Sequence, residues 1–441
     1  MDASLNNWRS PLAVRAEALT QPGPVIAFHM KAWKHPFLRQ FFPHKQFHFV
    51  PLRTSECDFR RKIVPLMAAP EKPVVLVWSN NLPPFAMLEI ERLGLQVYFM
   101  EDGFIRSLEA HAGYSVPFSL SLDSLRPFFD SRGPSDLEQL LLHHDFDGDP
   151  LLIQRAREGI RRILQQRLTK YNGRPGPSTA AQKNSGQSCR RKVLVVGQVE
   201  EDASILYGCD RPFTNNDLVR LAAQENPHAD IVYKPHPDVL SRMRREVSNP
   251  DEVAHLCTIM KGQVSLPDAL EYADHIYTIT SLAGFEALIR GKKVTTVGAP
   301  FYAGWGLTDD RQPLTRRGRT LSVEALFAAA YILYPMYFDP GTGRASTFEQ
   351  TIDSLADPLV KPRVSLAGRV KWQPYGIYGL LGWRHLLTPI VASIVARVGN
   401  ERDAVQYRSN PAGFFNELSD IRFRAVGRII YPWNIASGRR K

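Results

Sequence analysis

Residues 192–198 read KVLVVGQ, and they begin abruptly after YNGRPGPSTAAQKNSGQSCRR at 171–191. An unbroken apolar run of this length, closed by glycine, is the pattern of a strand buried on both faces. The stretch before it is poor in hydrophobic residues and rich in Gly, Pro and Ser, as interdomain linkers are. A new α/β unit therefore starts at Lys192. Toward the C-terminus the pattern predicts a helix around Asn216 to Gln224, then the strand DIVYK (230–234). A helix around Asp268 to Ala273, the strand HIYTI (275–279), the helix GFEALIR with Gly291 as its stop, and the strand KVTTVG (293–298) follow.

The same rhythm precedes the linker. VIAFHM (25–30), FHFV (47–50), PVVLVW (73–78) and LQVYFM (95–100) are short apolar runs separated by polar or helical stretches. PSDLEQLLLHH (134–144) and a helical pattern from Leu151 to about Lys170 close this half. Strands alternating with helices build parallel sheets with crossover helices. The expected fold class is α/β and GT-B-like: two Rossmann-like domains facing a cleft, with C-terminal helices. The expected boundaries are 24–170, a linker at 171–191, 192–345, and a basic helical region at 346–441. Ligands of such folds sit beyond the carboxyl ends of the strands. Other two-domain α/β enzymes share this rhythm.

The bulk properties narrow the function classes. Of 441 residues, 44% are hydrophobic, enough for a globular core. Cys57, Cys189, Cys209 and Cys257 are scattered without a CxxC pair, which argues against a zinc site or a disulfide framework. The first twenty residues lack the basic-then-apolar pattern of a signal peptide, and no apolar stretch is long enough to span a bilayer. We expect a cytoplasmic location, peripheral on the inner membrane. The net charge is +11, and residues 361–441 carry 14 Lys/Arg against 4 Asp/Glu, about +10 of it. With Trp372, Tyr375, Tyr378, Trp383 and Trp433 interleaved, beside GIYGLLGW and LLTPIVASIVARV, this basic region suits an anionic membrane surface better than nucleic acid, the alternative being a solvated basic face on helices that pack back on the core.

Four segments at predicted strand ends carry chemistry. They are EDGFIRS (101–107), GQVEEDAS (197–204), KPHPD (234–238) and TSLAGFEAL (280–288). In the third, Lys234 and His236 each precede a proline, which holds both in extended, stiffened backbone. Thr280 and Ser281 stand at a predicted helix start, where unpaired N–H groups favour anions. Lys234 would add a charge and His236 a donor, so the set describes a phosphate site. Read singly, Thr280 and Ser281 are also ordinary helix caps, and Glu200, Glu201 and Asp202 a charged loop.

These segments, and above all PFYAGWGLTDD (300–310), closely resemble the capsular polysaccharide proteins of the KpsC/LipA kind, over about Pro24 to Tyr334. The resemblance implies a retaining β-Kdo transferase that uses CMP-Kdo as donor and needs no metal or other cofactor. Typical members hold two modules in tandem, whereas this chain shows one copy of each motif. By motif position Asp202 would be the nucleophile, with Gln198 and Ser204 in the same Q-x-x-x-D-A-S pattern contacting substrate. Lys234, His236, Thr280 and Ser281 would hold the CMP phosphate, and Glu286 would reach the ribose hydroxyls. Glu101 and Asp102 would serve as acid/base toward the acceptor hydroxyl, and Arg106 would meet the Kdo carboxylate; a structural salt bridge of Arg106 and a buried helix-capping role of Glu286 are the alternatives. The implied partners are CMP-Kdo, a glycolipid (lipid-linked Kdo or phosphatidylglycerol-type) or saccharide acceptor, and a capsule biosynthesis and export complex. An inverting CMP-sialic-acid-type transferase, a CDP-glycerol glycerophosphotransferase and a non-catalytic assembly module remain as alternatives.

Overall fold

The computed structural model describes residues 18–52, 54–108, 115–172, 190–240, 247–260, 264–357, 387–398, 403–404, 407–408, 411–418 and 420–431. Most of the expected linker and the aromatic segment at 376–383 lie outside the described residues. The first unit runs β1 (Gly23–Phe28), α1 (His35–Phe41), β2 (Lys45–Phe49), α2 (Glu56–Lys62), β3 (Val74–Trp78), α3 (Pro84–Leu93), β4 (Val97–Asp102) and β5 (Ser119–Asp123). Helices α4 (Asp136–His143) and α5 (Pro150–Gln165) complete it. The second unit runs β6 (Lys192–Val196), α6 (Ala203–Gly208), α7 (Asn215–Glu225), β7 (Asp230–Lys234), β8 (Thr258–Ile259), α8 (Leu266–Tyr272), β9 (His275–Thr278), α9 (Leu282–Leu288), β10 (Lys293–Thr296) and β11 (Asp309–Asp310). The chain then passes through α10 (Val323–Phe327), β12 (Met336–Phe338), β13 (Ala345–Ser346) and α11 (Phe348–Ala356). Helices α12 (Thr388–Val398), α13 (Pro411–Glu417) and α14 (Ile421–Ile430) follow.

Among the described residues the second sheet has the order β11-β10-β9-β6-β7-β8, all parallel. KVLVV and HIYT form its centre because nearly every side chain in them is covered by helices on both faces. The chain moves from β6 outward to β7 and β8, then returns to place β9 on the other side of β6. The loops after β6 and β9 therefore diverge at a topological switch point, where parallel α/β sheets bind ligands.

The first sheet has the order β13-β12-β5-β4-β3-β1-β2. Strands β1 to β4 are parallel, and β5, β12 and β13 extend the sheet antiparallel. Met336–Phe338 and Ala345, which the sequence places in the second domain, and Ser346, the first residue of the expected C-terminal region, thus hydrogen bond into the first sheet, with Met336 opposite Leu120. The physical reason is an edge: β5 needs a partner for its outer row of backbone groups. Glu101 and Asp102 are the last residues of β4 rather than part of a loop beyond it.

One apolar cluster crosses between the units and fixes their junction. Phe104 from the first unit packs on Phe301 and Tyr331, with ring centroids 4.8 and 5.6 Å away. Below them α5 buries Leu152, Ala156, Gly159 and Ile163, a helical stripe. Gly159 lies so close to α10 and α11 that a Cβ there would meet Phe327 and Phe348 at 2.8 Å. Arg317 and Glu138, each 3% exposed, form a buried ion pair at 2.7 Å, and Arg316 adds a second contact to Glu138 at 2.5 Å. Removing one member of such a pair strands the other charge, at a cost of about 3–5 kcal/mol.

Candidate active site

The loops at the switch point are held by one glutamine. Gln198 Oε1 accepts from Thr280 N at 2.7 Å, and Gln198 Nε2 donates to Thr280 Oγ1 at 3.1 Å. Thr280 Oγ1 donates in turn to Ser204 Oγ at 3.3 Å. The Gln198 backbone is clamped by Asn215, which donates to Gln198 O and accepts from Gln198 N, both at 2.9 Å. Gly197 lets the strands converge here, since a Cβ would stand 2.9 Å from the Tyr233 hydroxyl. The loop after β6 and the loop after β9 are therefore one rigid unit.

Asp202 stands at the start of α6. One oxygen accepts from Ser204 N at 3.0 Å, an N-cap, and Asp202 is half-buried. No contact to its second oxygen is found among the described residues. The neighbouring carboxylate differs: Glu200 is saturated by Asn215 N at 2.6 Å and by Ser248 Oγ and N at 2.6 and 2.9 Å. Of these two acids, Glu200 is bonded through both oxygens, whereas Asp202 is bonded through one among the described residues.

Lys234 ends β7, next to Val196, and its carbonyl accepts from Gly197 N at 2.9 Å. Its side chain is buried, at 7% exposure, and burial pulls its pKa below the usual lysine value. Among the described residues it has no ion pair and no side-chain hydrogen bond. A buried cation without a counter-charge is costly unless an anion arrives. His236 lines the adjoining recess with Gln198, Glu200, Asn215, Tyr233 and Pro235. Ser281 caps α9, accepting from Ala283 N at 3.2 Å, while its own N donates to Thr278 Oγ1 at 3.1 Å. The Tyr302 hydroxyl donates to Ser281 O. The helix start is thus largely engaged within the protein, which leaves Lys234 as the main attraction for an anion.

The first unit presents a different cluster. Buried Lys34 lies against the Trp78 ring and faces Glu101 and Asp102. Burial, and then the neighbouring Asp102 charge, push the Glu101 carboxyl up, against the opposing pull of Lys34 and a Ser79 hydrogen bond. Burial also disfavours the Asp102 carboxylate, but Arg106, Lys34 and Lys170 outweigh it and hold that carboxyl below the usual range. Two adjacent carboxyls driven apart in this way divide into a proton carrier and a fixed charge.

Two expected site residues stand elsewhere. Arg106 is 1% exposed, and its guanidinium donates to Asp102 at 2.8 Å, to Ser115 Oγ at 2.8 Å and to Ser115 O at 3.3 Å. It holds Asp102 instead of offering a free fork to a substrate carboxylate. Glu286 is buried between the units, where Oε1 accepts from Lys170 N at 3.2 Å and Oε2 has no partner. Burial pushes its pKa up to about 7. It faces the interface rather than the Gln198–Thr280 network. Lys34 and Lys170 escape sequence reading, because KAWKHP (31–36) and LTK (168–170) carry no periodic signal. The pair Arg316-Arg317, in the run RRGR, looks like a solvated charge run and is instead a buried brace.

The family model for capsule polysaccharide biosynthesis proteins matches residues 75–337. The chain belongs to this family. It is 43% identical over 340 residues to the lipopolysaccharide-processing protein LpsZ of Rhizobium meliloti, covering 75% of this chain and 74% of LpsZ. To the capsule polysaccharide modification protein LipA of Neisseria meningitidis it is 36% identical over 327 residues, 74% of this chain. Those residues make up 44% of LipA, so the chain spans less than half the length of that relative. Among solved structures it is similar to Thermosulfurimonas dismutans KpsC, described as a β-Kdo 2,7 transferase and a β-Kdo 2,4 transferase. Identities are 35% and 30% and TM-scores 0.59 and 0.61, over 76% of this chain and 98% of each of theirs. Within the family string PFYAGWGLTDD the side chains are scaffold. Phe301, Tyr302 and Trp305 are buried, Trp305 Nε1 donates to Phe301 O at 2.8 Å, and Asp310 accepts from Gly304 N at 2.8 Å.

Proposed function

We propose that the protein is a retaining glycosyltransferase that moves β-Kdo from CMP-Kdo to a glycolipid or saccharide acceptor in capsular polysaccharide biosynthesis. The observation that carries this reading is Lys234: a buried cation at the switch point with no ion pair among the described residues, on the strand next to the one that leads to Asp202. The similarity to the two KpsC transferases supports the sugar. In the first step the free Asp202 oxygen attacks the anomeric carbon, C2 of Kdo. The bond from C2 to the phosphate oxygen breaks, and its electron pair leaves with CMP. Lys234, His236 and Ser281 meet the charge that develops there, in place of a divalent cation. In the second step the acceptor hydroxyl gives its proton to Glu101 and attacks C2, releasing Asp202. Two inversions give net retention.

Incubation with CMP-Kdo in the absence of acceptor, followed by intact-protein mass spectrometry, tests the first step. A Kdo-sized adduct on the wild type, absent from Asp202→Asn, is expected. Asparagine keeps the helix cap, so the variant separates chemistry from folding. Transfer by the variant should fall on the order of 10³-fold or more. An active Asp202→Asn enzyme with an inverted product would instead favour a single displacement by a base.

A further inference from the structure

The apolar surface of the described residues is concentrated at one place. Seven of thirteen strongly exposed large hydrophobic side chains lie on two short helices, α12 and α14. On α12, Ile390, Ile394 and Val398 recur every four residues and form an outward stripe, while Ala392 and Val395 face inward. On α14, Ile421, Phe423, Val426 and Ile429 are exposed, with Ile429 at 75%. The inner faces meet over Tyr407, Phe414, Phe415 and Tyr431, a separate core. The stripe is therefore no fraying artefact of an unpacked tail; it is the outer face of a small bundle.

Arg397, Arg422, Arg424 and Arg428 lie on the same two helices, and residues 361–441 hold 14 Lys/Arg against 4 Asp/Glu. That charge repels a second copy of the same surface. The exposed groups are mostly aliphatic and offer few flat faces on which bases could stack. No helix of the described residues is long and apolar enough to cross a membrane. Aliphatic stripes ringed by arginine suit the interface of an anionic bilayer, where the apolar face enters the headgroup boundary. The family match ends at residue 337, so this bundle lies beyond it.

Its position adds a second point. Helix α13 packs on residues Ala32–Lys34, the turn that carries Lys34 to Glu101 and Asp102. Asp403 and Arg424 act electrostatically on His29 and His35, on either side of that turn. We infer that the C-terminal bundle docks on an anionic bilayer and holds the Glu101 side of the cleft at the lipid surface, where it receives a lipid-linked acceptor. The acceptor half of this inference rests on the transferase reading above; the docking half does not.

Flotation of the full chain with phosphatidylglycerol/phosphatidylcholine vesicles, and with phosphatidylcholine alone, tests the docking. The wild type should float with the anionic vesicles and be released by salt. The double variant Ile394→Asp/Ile429→Asp should lose more than about tenfold in partitioning. Leu88→Asp, at an exposed leucine on α3, should float like the wild type. Equal flotation of the double variant, or none by the wild type, overturns the docking. So does a homodimer in sedimentation that the double variant dissolves. For the acceptor half, the double variant should lose transfer to a vesicle-borne acceptor and keep transfer to a soluble saccharide. Equal losses on both overturn it. A wild type inactive on both acceptors sinks the transferase reading instead, while flotation still decides the docking.

Discussion

The two strand-end clusters are built on opposite electrostatic plans. Beyond β6, β7 and β9 the framework is built from the amides and hydroxyls of Gln198, Thr280, Ser204 and Asn215, with Glu200 held by hydrogen bonds and Lys234 buried without an ion pair among the described residues. Beyond β1, β3 and β4 the groups are densely charged and face one another: Lys34, Glu101, Asp102, Arg106 and Lys170. A buried cation in a frame of amides and hydroxyls suits an incoming anion. A self-compensated cluster attracts no ion strongly but can set the proton affinity of one member. On the function proposed above, the second unit would take the nucleotide sugar and the first the proton of an acceptor.

The largest effect that tests this division is expected at Glu101. To act as a base it must be ionised, and its pKa lies above the usual carboxylate value. Activity should therefore fall on acidification, with an acidic limb of kcat/KM above the range of an ordinary carboxyl. Glu101→Gln should lose about 10²–10⁴-fold in rate and flatten that limb. If Asp102→Asn flattened the limb instead, the assignment of the two carboxyls would be reversed.

Next comes Lys234. Lys234→Met should cost about 10²–10³-fold in kcat/KM. The charge is lost as pH rises, and burial has lowered this pKa. The alkaline limb should therefore begin at a lower pH than for an exposed lysine. Lys234→Arg keeps its charge to much higher pH, so any activity it retains should show that limb displaced upward. An unchanged limb in the arginine variant would remove Lys234 from phosphate binding.

Legibility from sequence follows the same contrast. KVLVV and HIYT announce themselves because a strand covered on both faces is apolar throughout. SLSLD, now β5, hides: it is wholly buried, yet alternates with Ser119, Ser121 and Asp123. Each of these finds a partner only in the fold, Ser119 in Ile105 O, Ser121 in Glu101 O at 3.3 Å, and Asp123 in Asp136 N at 2.8 Å. Gln198, Asp202, Ser204 and Thr280 were legible as a set because all sit at strand ends of one sheet. Arg106 and Glu286 stayed ambiguous because spacing along the chain does not reveal what covers a side chain. A fork donor four residues beyond a strand, and a carboxylate one turn into a helix, read equally as ligand contacts or internal partners until their burial is known.

Glu286 gives the smallest effect and separates site from scaffold most cleanly. Its folded pKa is about 7 against an ordinary 4.5. The folded state therefore binds this proton more tightly than the unfolded state. The stability it contributes is full below about pH 4.5 and is lost as pH rises through 7. The shift corresponds to at most about 3.5 kcal/mol, since each pKa unit is about 1.4 kcal/mol. Glu286→Gln keeps an oxygen for Lys170 N and has no proton to lose. Its unfolding free energy should decline less than the wild type's between pH 5 and 8, by a margin of about 1–3 kcal/mol, as read by denaturant titration at each pH. Below pH 5 it should gain nothing, because the added amide N–H₂ enters a place where Oε2 already lacks a partner. A residue buried at the interface should also leave the KM for CMP-Kdo unchanged. A KM raised about tenfold or more, with an unaltered pH dependence of stability, would instead return Glu286 to the nucleotide side of the cleft.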